Sequence, residues 1–571
     1  MERLSVIASA ALILLGFLAY LNSFSGAFVL DDIQHIVESP NIRTLTPFWA
    51  HVKGSTRPLV DISFALNYAS GGLNPFGYHL VNLVIHILGA LVLFGLVRRT
   101  LQALRVGSLP VLPSTGFGFA VALLWMLHPL QTESVTYIIQ RSEALMGLFY
   151  LLTLYSLVRG AGGTRPGAWF SAAVVSCALG MMSKPVMASA PLIALIYDRV
   201  FLSSSWKMLW RERKWFYAGL ALTWVILGWI LATSGQEYGL SAGPGWKGLE
   251  PLAYAKVQTH VIFHYLWLAF WPSPLILSYH WPVAKSLGFY LPTIIFVSCL
   301  VAGTVWALCY RPALGFLGAW FFLILMPTSS FIPLADPVFE HRMYLPLAVV
   351  VALAVGGGWK LIRSVGPQGV RGFMAVSLVS ALAFALGTLT FLRNRDYQSH
   401  EAIWRDTLSK QPFNPRAHAN LGAELLKLEK LEEAARHLSR AIELEPGFVE
   451  AYVNLGSIRD REGRVEEAVT LYAQALEIEP SDYRAHYNWG NLLARSGRLA
   501  EAKLHYERAL AVEPRFAQAH NNLGNIFLKL GADQEAIFHY REAVRIDPGF
   551  ALGEQNLKRA LAARRGEGGG S

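Results

Sequence analysis

Residues 454–480 read NLGSIRDREGRVEEAVTLYAQALEIEP, and residues 488–514 read NWGNLLARSGRLAEAKLHYERALAVEP. Aligned with an offset of 34 residues, the two stretches share Asn, Gly, Ala and Pro at the same positions. Five sets of residues keep this offset through the last third of the chain: Asn420, Asn454, Asn488, Asn522 and Asn556; Gly422, Gly456, Gly490 and Gly524; Ala434, Ala468, Ala502 and Ala536; Ala441, Ala475, Ala509 and Ala543; Pro446, Pro480, Pro514 and Pro548. One period in five registers indicates an internal repeat.

A period of 34 with small residues at fixed positions and a closing proline is the tetratricopeptide pattern, with two antiparallel helices in each unit. Gly and Ala let the helices approach closely, and Pro ends the second helix. We therefore predict an α-solenoid over residues 396–565. It comprises four full repeats at 413–548, a leading partial unit that contains Trp404, and a C-terminal capping helix. Residues 566–571, GEGGGS, are predicted to be a flexible end.

The asparagine register of the solenoid has two interpretations. A solenoid offers a concave surface to polypeptides, and a carboxamide both donates and accepts hydrogen bonds, so a row of Asn can hold an extended acceptor chain by its backbone. Alternatively, the amides brace or solvate the helix surface. The array is similar to the superhelix of nucleocytoplasmic O-linked N-acetylglucosamine transferases, where an asparagine ladder has the first role. The candidate peptide-binding residues are Asn420, Asn454, Asn488 and Asn522.

The chain before the repeats has a different composition. Residues 1–400 contain 26 Lys and Arg but 14 Asp and Glu, whereas residues 401–571 contain 23 and 25. Apolar residues make up 53% of the chain and charged residues 15%, which excludes a disordered chain or a disulfide-stapled secreted domain. The basic excess belongs to the apolar part, so nucleic acid is not predicted as a partner. Eleven apolar stretches can each cross a bilayer: 5–23, 79–97, 115–131, 142–158, 167–182, 185–201, 215–233, 289–309, 313–330, 344–361 and 373–392.

These spans predict an all-α chain in which a polytopic helical membrane domain, residues 1–395, precedes the solenoid. Lys and Arg concentrate in the loops after the even-numbered spans, which indicates a cytoplasmic N-terminus and repeats on the outer, periplasmic or lumenal, side. Parity then requires the stretch 251–272 to cross either not at all or twice, and we favour a re-entrant or interfacial helix. The expected location is the inner or plasma membrane of a bacterium.

An aspartate doublet, Asp31 and Asp32, stands just past the first span in the sequence FVLDD. Two adjacent carboxyls do not both ionise freely, so one of them is a candidate general base. The doublet is also a candidate ligand for a divalent cation. The alternative is a solvated turn or helix cap.

Further polar residues gather at the predicted outer ends of the spans. Within a span such residues face a cavity or bond to another helix. Lys184 and Arg342 are cations where the positive-inside rule supplies no reason for them, so they are candidate ligands of a lipid phosphate, or snorkelling anchors. The candidate supporting residues on this face are His35, His79, His86, His128, Glu133, Arg141, Glu143, Glu340, His341 and Tyr344.

In this order, the motifs FVLDD, RPL…LNY…GLNPFGYHLVNLVIH, HPLQTESV…QRSE, SKP and EHRMYLP, followed by the repeats, resemble the transmembrane and tetratricopeptide-repeat O-mannosyltransferases and their bacterial relatives. The resemblance implies a GT-C glycosyltransferase fold and a polyprenyl- or dolichyl-phosphate sugar donor. It marks Asp31 and Asp32 as catalytic and puts Arg342 at the donor site. In the mechanism that we expect, Arg342 stabilises the leaving phosphate together with Arg57, Lys184 or a cation. Pro185 stands where such relatives usually have an acid, which departs from the pattern.

We therefore expect an inverting membrane glycosyltransferase that moves a mannose-like hexose from the lipid phosphate to Ser or Thr hydroxyls of exported proteins. Asp31 or Asp32 is the expected base, and the solenoid is expected to bind the acceptor polypeptide. A divalent cation is the one further cofactor considered. Two alternatives stay open: a GT-C enzyme that acts on a glycan or lipid while the repeats recruit partners, and a non-catalytic membrane scaffold, against which the polar outer clusters argue.

Overall fold

The coordinates are a computed structural model that describes residues 2–45, 55–103, 114–234, 250–281, 286–334 and 336–567. The chain divides into two compact units, Met1–Asp406 and Thr407–Ser571, here called the membrane unit and the repeat unit. Regular secondary structure in the described parts of both units is helical, which confirms the all-α prediction.

The boundary between the units falls after Asp406, whereas the sequence predicted it after residue 395. Arg393, at the end of the last membrane helix, explains the difference. Its Nη1 donates to Asp396 Oδ2 at 2.9 Å and to Asp406 Oδ2 at 2.6 Å. These ion pairs attach the first turns of the helix His400–Lys410 to the membrane unit, and Trp404 within that helix is buried.

The helices of the membrane unit include one for each predicted apolar stretch. Their bounds are Glu2–Ala19, Pro58–Gly71, Pro75–Ala103, Ser114–Met126, Thr132–Thr136, Arg141–Gly162, Pro166–Met181, Ala190–Tyr197, Trp206–Thr233, Pro251–Phe270, Leu287–Tyr310, Pro312–Leu325, Pro346–Val365, Arg371–Asn394 and His400–Lys410.

Among the described residues, eight helical segments are long and apolar enough to cross a membrane, and three shorter apolar helices accompany them. Each of these segments coincides with one of the eleven predicted spans. The chain is therefore an integral membrane protein. The stretch 251–272 forms one uninterrupted helix, Pro251–Phe270, which packs on Leu287–Tyr310. A single helix without a turn does not cross a membrane twice. The re-entrant or interfacial position of this helix stays a prediction.

The helix Arg141–Gly162 lies at the centre of the membrane unit. Of the 18 most apolar consecutive residues within Ile138–Gly162, 67% are buried. The corresponding share for Leu287–Tyr310, whose side chains face outward, is 6%. Gly147 allows the central helix to pack closely, because a Cβ there would overlap the ring of Tyr344. The helix that begins in the QRSE motif therefore contacts Tyr344 of the HRMYL motif.

The repeat unit is a row of antiparallel helix pairs, as the 34-residue period predicted. A Cβ added at Gly456, Gly490 or Gly524 would lie 2.7 to 2.8 Å from a tyrosine ring of the paired helix, so glycine is required for this approach. The last helix includes Gly566 and Glu567 of the predicted flexible end, and residues 568–571 lie outside the described part. The helices are Pro415–Lys427, Leu431–Leu444, Val449–Arg461, Val465–Ile478, Tyr483–Arg495, Leu499–Val512, Ala517–Lys529, Asp533–Ile546 and Ala551–Glu567.

Candidate active site

The aspartate doublet is split between two environments. Asp32 is fully buried, and its two carboxylate oxygens accept hydrogen bonds from the backbone N–H of Val29 at 2.9 Å and of Ile139 at 2.7 Å. Burial raises the pKa of the Asp32 carboxyl to about 8. Asp31 is exposed, and its backbone N–H donates to the hydroxyl of Tyr137 at 3.1 Å. Only Asp31 thus presents its carboxylate to an incoming molecule.

The QRSE motif, residues 140–143, gathers cations from two other loops. Lys184 Nζ forms a buried ion pair with Glu143 Oε2 at 2.6 Å and donates to Gln140 Oε1 at 3.4 Å. Arg57 Nη1 donates to Ser142 Oγ at 3.4 Å. Burial lowers the pKa of the Lys184 ammonium, and Glu143 opposes that shift. Arg57 is half-buried and makes no ion pair with a described residue, so it is the cation most available to an anion.

Two buried glutamates extend this network toward the EHRMYLP motif. Glu133 accepts hydrogen bonds from the backbone N–H of His341 at 2.9 Å and from its Nδ1 at 2.8 Å. Glu340 Oε1 accepts from the hydroxyl of Tyr279 at 2.7 Å and from the backbone N–H of Ile276 at 2.5 Å. Burial raises the pKa of both glutamates and lowers that of His341. Residues that are distant in sequence therefore converge here.

Arg342 does not present a free guanidinium. Its terminal nitrogens donate to the backbone carbonyls of Thr328 at 3.4 Å, Pro337 at 2.6 Å and Asp336 at 2.7 Å. The guanidinium also lies 5.4 Å from the ring centroid of Phe339. We predicted a phosphate ligand from the position of Arg342 on the outer side, but most of its donors are used to fix the loop that precedes it.

Arg141, one of the predicted supporting residues, directs its guanidinium into contacts within the protein. Its guanidinium is fully buried and donates to Asn82 Oδ1 at 2.6 Å, to Ser63 O at 3.1 Å and to Tyr78 O at 3.0 Å. It also lies 4.5 Å from the ring centroid of Phe64. The residue joins the helices Pro58–Gly71, Pro75–Ala103 and Arg141–Gly162.

The predicted supporting histidines connect structural elements. His86 bonds to the hydroxyl of Tyr344 and to the carbonyl of Met126, both at 3.0 Å, which is the helix-to-helix alternative. His79 bonds to Gly26 O at 3.2 Å, and His128 to Ala269 O at 3.1 Å. His35 is exposed and bonds to none of the candidate residues.

Sequence reasoning missed Arg393 and Tyr137. Arg393 is buried, and its Nε and Nη2 have no hydrogen-bond partner among the described residues. A cation at the predicted outer end of the last span was a usable signal, because the positive-inside rule does not account for it. Tyr137, which supports Asp31, carries no such signal, because an aromatic residue in an apolar stretch is the ordinary case.

The asparagines of the repeat unit do not behave alike. Asn522 Nδ2 donates to Tyr487 Oη at 3.2 Å and to Asn491 Oδ1 at 2.8 Å, so it braces neighbouring repeats. Asn420 bonds to the carbonyl of Arg416 in its own helix. Asn454 and Asn488 are half-buried and make no side-chain hydrogen bond within the described ranges. The bracing interpretation thus holds for Asn522, and the two central residues keep free amide groups.

A metal site at the doublet does not fit the donor set. Both oxygens of Asp32 already accept backbone N–H groups, so the pair does not offer two open carboxylates. In the described ranges no group of three His, Cys, Asp or Glu side chains is arranged to hold a metal ion.

The fold and this network define a class: a polytopic helical membrane protein with a charged network buried among its loops and a tetratricopeptide solenoid at its C-terminal end. The tetratricopeptide-repeat family profile matches residues 420–483 and 487–549. A solved thermophilic tetratricopeptide protein of Thermus thermophilus aligns with 30% of this chain and 92% of its own, at 22% identity and a TM-score of 0.26.

The particular relatives are protein O-mannosyl-transferases. The chain is 26% identical over 475 residues to Protein O-mannosyl-transferase TMTC4 of Mus musculus, covering 72% of this chain and 62% of that protein. It is 26% identical over 506 residues to Protein O-mannosyl-transferase TMTC1 of Homo sapiens, covering 77% and 55%. The resemblance predicted from the motifs is thus confirmed. The chain spans less than two thirds of the length of either relative.

Proposed function

We propose that this chain is a membrane glycosyltransferase that moves a hexose, with mannose favoured, from a polyprenyl-phosphate donor to Ser or Thr hydroxyls of polypeptides. The proposal places the reaction on the outer side of the membrane and assigns acceptor binding to the solenoid. The observation that carries the proposal is that four residues far apart in sequence bond to residues 138–143: Asp32, Arg57, Asn82 and Lys184. The chain is also similar to O-mannosyl-transferases over about three quarters of its length.

Asp31 is the proposed general base. It is exposed, and its neighbour Asp32 is fixed by two backbone hydrogen bonds. Asp32 is thus the positioning residue: it attaches the FVLDD loop to Ile139 and so holds Asp31 at a defined place. Tyr137 supports the same loop through the backbone N–H of Asp31.

Arg57 is the proposed ligand of the donor phosphate. It is attached to Ser142, three residues from the Ile139 that holds Asp32. The Cα atoms of Ile139 and Ser142 are at most about 11 Å apart, so base and cation attach to one short segment. Lys184 contributes less, because its charge is neutralised by Glu143.

The proposed reaction is a single displacement. Asp31 takes the proton of the acceptor hydroxyl, whose oxygen forms a bond to the anomeric carbon. The bond from that carbon to the phosphate oxygen breaks, and the lipid phosphate leaves with the electron pair, so the configuration inverts. Arg57 stabilises the charge that develops on the leaving phosphate.

The proposed acceptor surface centres on Asn454 and Asn488, the two half-buried asparagines of the register that form no side-chain hydrogen bond among the described residues. Their carboxamides can pair with a peptide backbone whatever its side chains are. The two asparagines would recognise a bound peptide through its main chain, so we expect acceptors of varied sequence.

The test is transfer of a radiolabelled hexose from polyprenyl phosphate to a Ser/Thr peptide by the full-length protein in membranes. Asp31→Asn should reduce turnover by about a hundredfold to ten-thousandfold, because general-base catalysis contributes that much. Glu38→Gln is the matched control, since it removes an exposed carboxylate from the same loop and should leave turnover unchanged.

Asp32→Asn separates positioning from catalysis. An amide nitrogen in place of one oxygen would face a backbone N–H, so this variant should lower the thermal unfolding temperature as well as turnover. Wild-type turnover by Asp31→Asn would remove the assigned base. Label that mass spectrometry finds only on a glycan or lipid would remove the polypeptide acceptor.

A further inference from the structure

Two arginines converge on one tyrosine at the far end of the central helix. Arg159 Nη1 donates to the hydroxyl of Tyr155 at 3.3 Å, and its guanidinium lies 4.4 Å from the ring centroid of Trp169. Arg99, from the neighbouring helix, lies 5.8 Å from the Tyr155 ring centroid. Gly95 makes room for this ring, because a Cβ there would lie 2.8 Å from Cε2 of Tyr155. Here Arg99, Tyr155, Arg159 and Trp169 are called the arginine clamp.

The clamp contains positive charge without a matching carboxylate. Neither Arg99 nor Arg159 forms an ion pair with any described residue, and the ion pairs of the membrane unit use other cations, Lys184, Arg213 and Arg393 among them. Both clamp arginines are half-buried, so water screens their mutual repulsion incompletely. Two guanidinium groups held at one phenol are complementary to an anion that accepts several hydrogen bonds, and a phosphate group has that geometry.

The predicted spans put the clamp at the depth of lipid headgroups. The apolar stretches predicted as spans end at residues 97 and 158 and begin again at 167, so both arginines follow a span and Trp169 opens the next one. Trp and Tyr favour the interface between hydrocarbon and water. Arg98 donates to the Ser5 side chain near the start of the first helix, so a third cation lies at the same end.

The clamp is separate from the candidate active site. Glu143 and Arg159 are 16 positions apart on one continuous helix, which corresponds to about 24 Å along its axis. The two sites therefore lie at opposite ends of the helix Arg141–Gly162, and the predicted topology puts them on opposite faces of the membrane.

We propose that the arginine clamp binds the phosphate of an anionic phospholipid in the leaflet opposite the candidate active site. Arg99 and Arg159 donate to the phosphate oxygens, and Trp169 and Tyr155 contact the glycerol and upper acyl region. A lipid is favoured over a soluble phosphate because the two aromatic rings give the site an apolar wall beside its charges. Such a lipid would hold together the helices Pro75–Ala103, Arg141–Gly162 and Pro166–Met181.

The experiment is native mass spectrometry of the full-length protein released from micelles doped with phosphatidylglycerol or phosphatidylcholine. Wild type should retain a phosphatidylglycerol adduct that phosphatidylcholine does not replace. Arg99→Gln with Arg159→Gln should weaken this binding by at least about tenfold, because each lost charge-assisted hydrogen bond is worth that much. Arg363→Gln is the matched control: it removes an exposed arginine from the last turn of another membrane helix and should bind as wild type does.

Two further measurements decide the remaining cases. If the double variant does not fold, Arg159→Gln alone is used, and its adduct should still be weaker than that of Arg363→Gln. Glycerol phosphate without acyl chains is offered in a separate arm and should not compete. Undiminished phosphatidylglycerol binding by the variants would overturn the proposal, and so would competition by glycerol phosphate at the affinity of the lipid.

Discussion

The membrane unit and the repeat unit place their ion pairs in opposite ways. In the membrane unit the characteristic polar contacts are buried and distant in sequence: Glu133 accepts hydrogen bonds from His341, 208 positions away, and Glu143 forms an ion pair with Lys184 from another loop. In the repeat unit a typical pair is Arg498 with Glu501, three residues apart and each about half exposed, at 54%. A buried contact between distant residues fixes the tertiary arrangement of the loops. An exposed pair between neighbouring residues lies on the surface of one helix.

The two units therefore depend on different contacts to specify their folds. The repeat unit relies on recurring close contacts such as that between Gly490 and Tyr506, so the same local packing holds the two helices of successive repeats together. The membrane unit cannot use apolar burial in the same way, because lipid is as apolar as its own side chains. Buried charges that are satisfied only by one partner then determine which loops meet.

The largest effect should follow from breaking a buried pair. Lys184→Met leaves the Glu143 carboxylate buried without its cation, and we expect a loss of about 3–5 kcal/mol in the free energy of unfolding. The measurement is the free energy of unfolding, from thermal or denaturant unfolding of the full-length protein in micelles. The transition that is followed is the loss of structure in the membrane unit.

The matched control for this prediction is the double variant Lys184→Met with Glu143→Leu. It removes both charges, and replacement of a whole buried pair by apolar groups is often neutral or stabilising. Recovery of the unfolding midpoint in the double variant supports the comparison. If the single variant were as stable as the double, the pair would contribute no more than a surface pair does.

This contrast also explains what could be read from the sequence. The solenoid was predictable because its information is local: 34 residues contain every contact type, and the period repeats them. The spans were predictable because length and apolarity suffice to define them. The boundary of the compact units at Asp406 goes with the pairing of Arg393 with Asp406, which composition does not reveal.

The candidate site was predictable as a set of segments but not as a set of roles. The motifs named Asp31 and Asp32 together, yet only the backbone N–H groups of Val29 and Ile139 distinguish the buried residue from the exposed one. Arg342 has the residue type of a phosphate ligand, but its donors are used by nearby carbonyls. Such partners lie in loops whose path the sequence pattern does not encode.

A smaller effect should appear in the repeat unit as pH falls. His486 Nε2 donates to Pro480 O at 3.2 Å, so its Nδ1 accepts from His505 Nδ1–H at 3.0 Å. Burial lowers the pKa of His505 from 6.5 to about 4, with the neighbouring His486 adding to the shift. The folded state thus binds fewer protons than the unfolded state between these values. Stability present above pH 6.5 is lost toward pH 4, on the order of 1 kcal/mol per pair after allowance for solvent screening.

The second repeat supplies the control, because it has Tyr452 and Leu471 where the third has His486 and His505. His486→Tyr with His505→Leu should reduce the pH dependence of that repeat. The measurement is hydrogen-exchange protection of peptides within 483–512 in the full-length protein, corrected for intrinsic exchange, near neutral and mildly acidic pH. Equal protection of wild type at both pH values would contradict the assigned tautomers and the lowered pKa.

The smallest effect is expected from a surface pair of the repeat unit. Arg498 Nη2 contacts Glu501 Oε2 at 2.6 Å, but both side chains are about half exposed, at 54%. Water already solvates both charges, and ordering two long side chains offsets the Coulomb attraction. Arg498→Gln should therefore leave the unfolding midpoint of the repeat unit unchanged, at low salt and at high salt alike. A loss comparable to that of Lys184→Met would show that sequence-local pairs also carry tertiary specificity, and the contrast between the two units would fail.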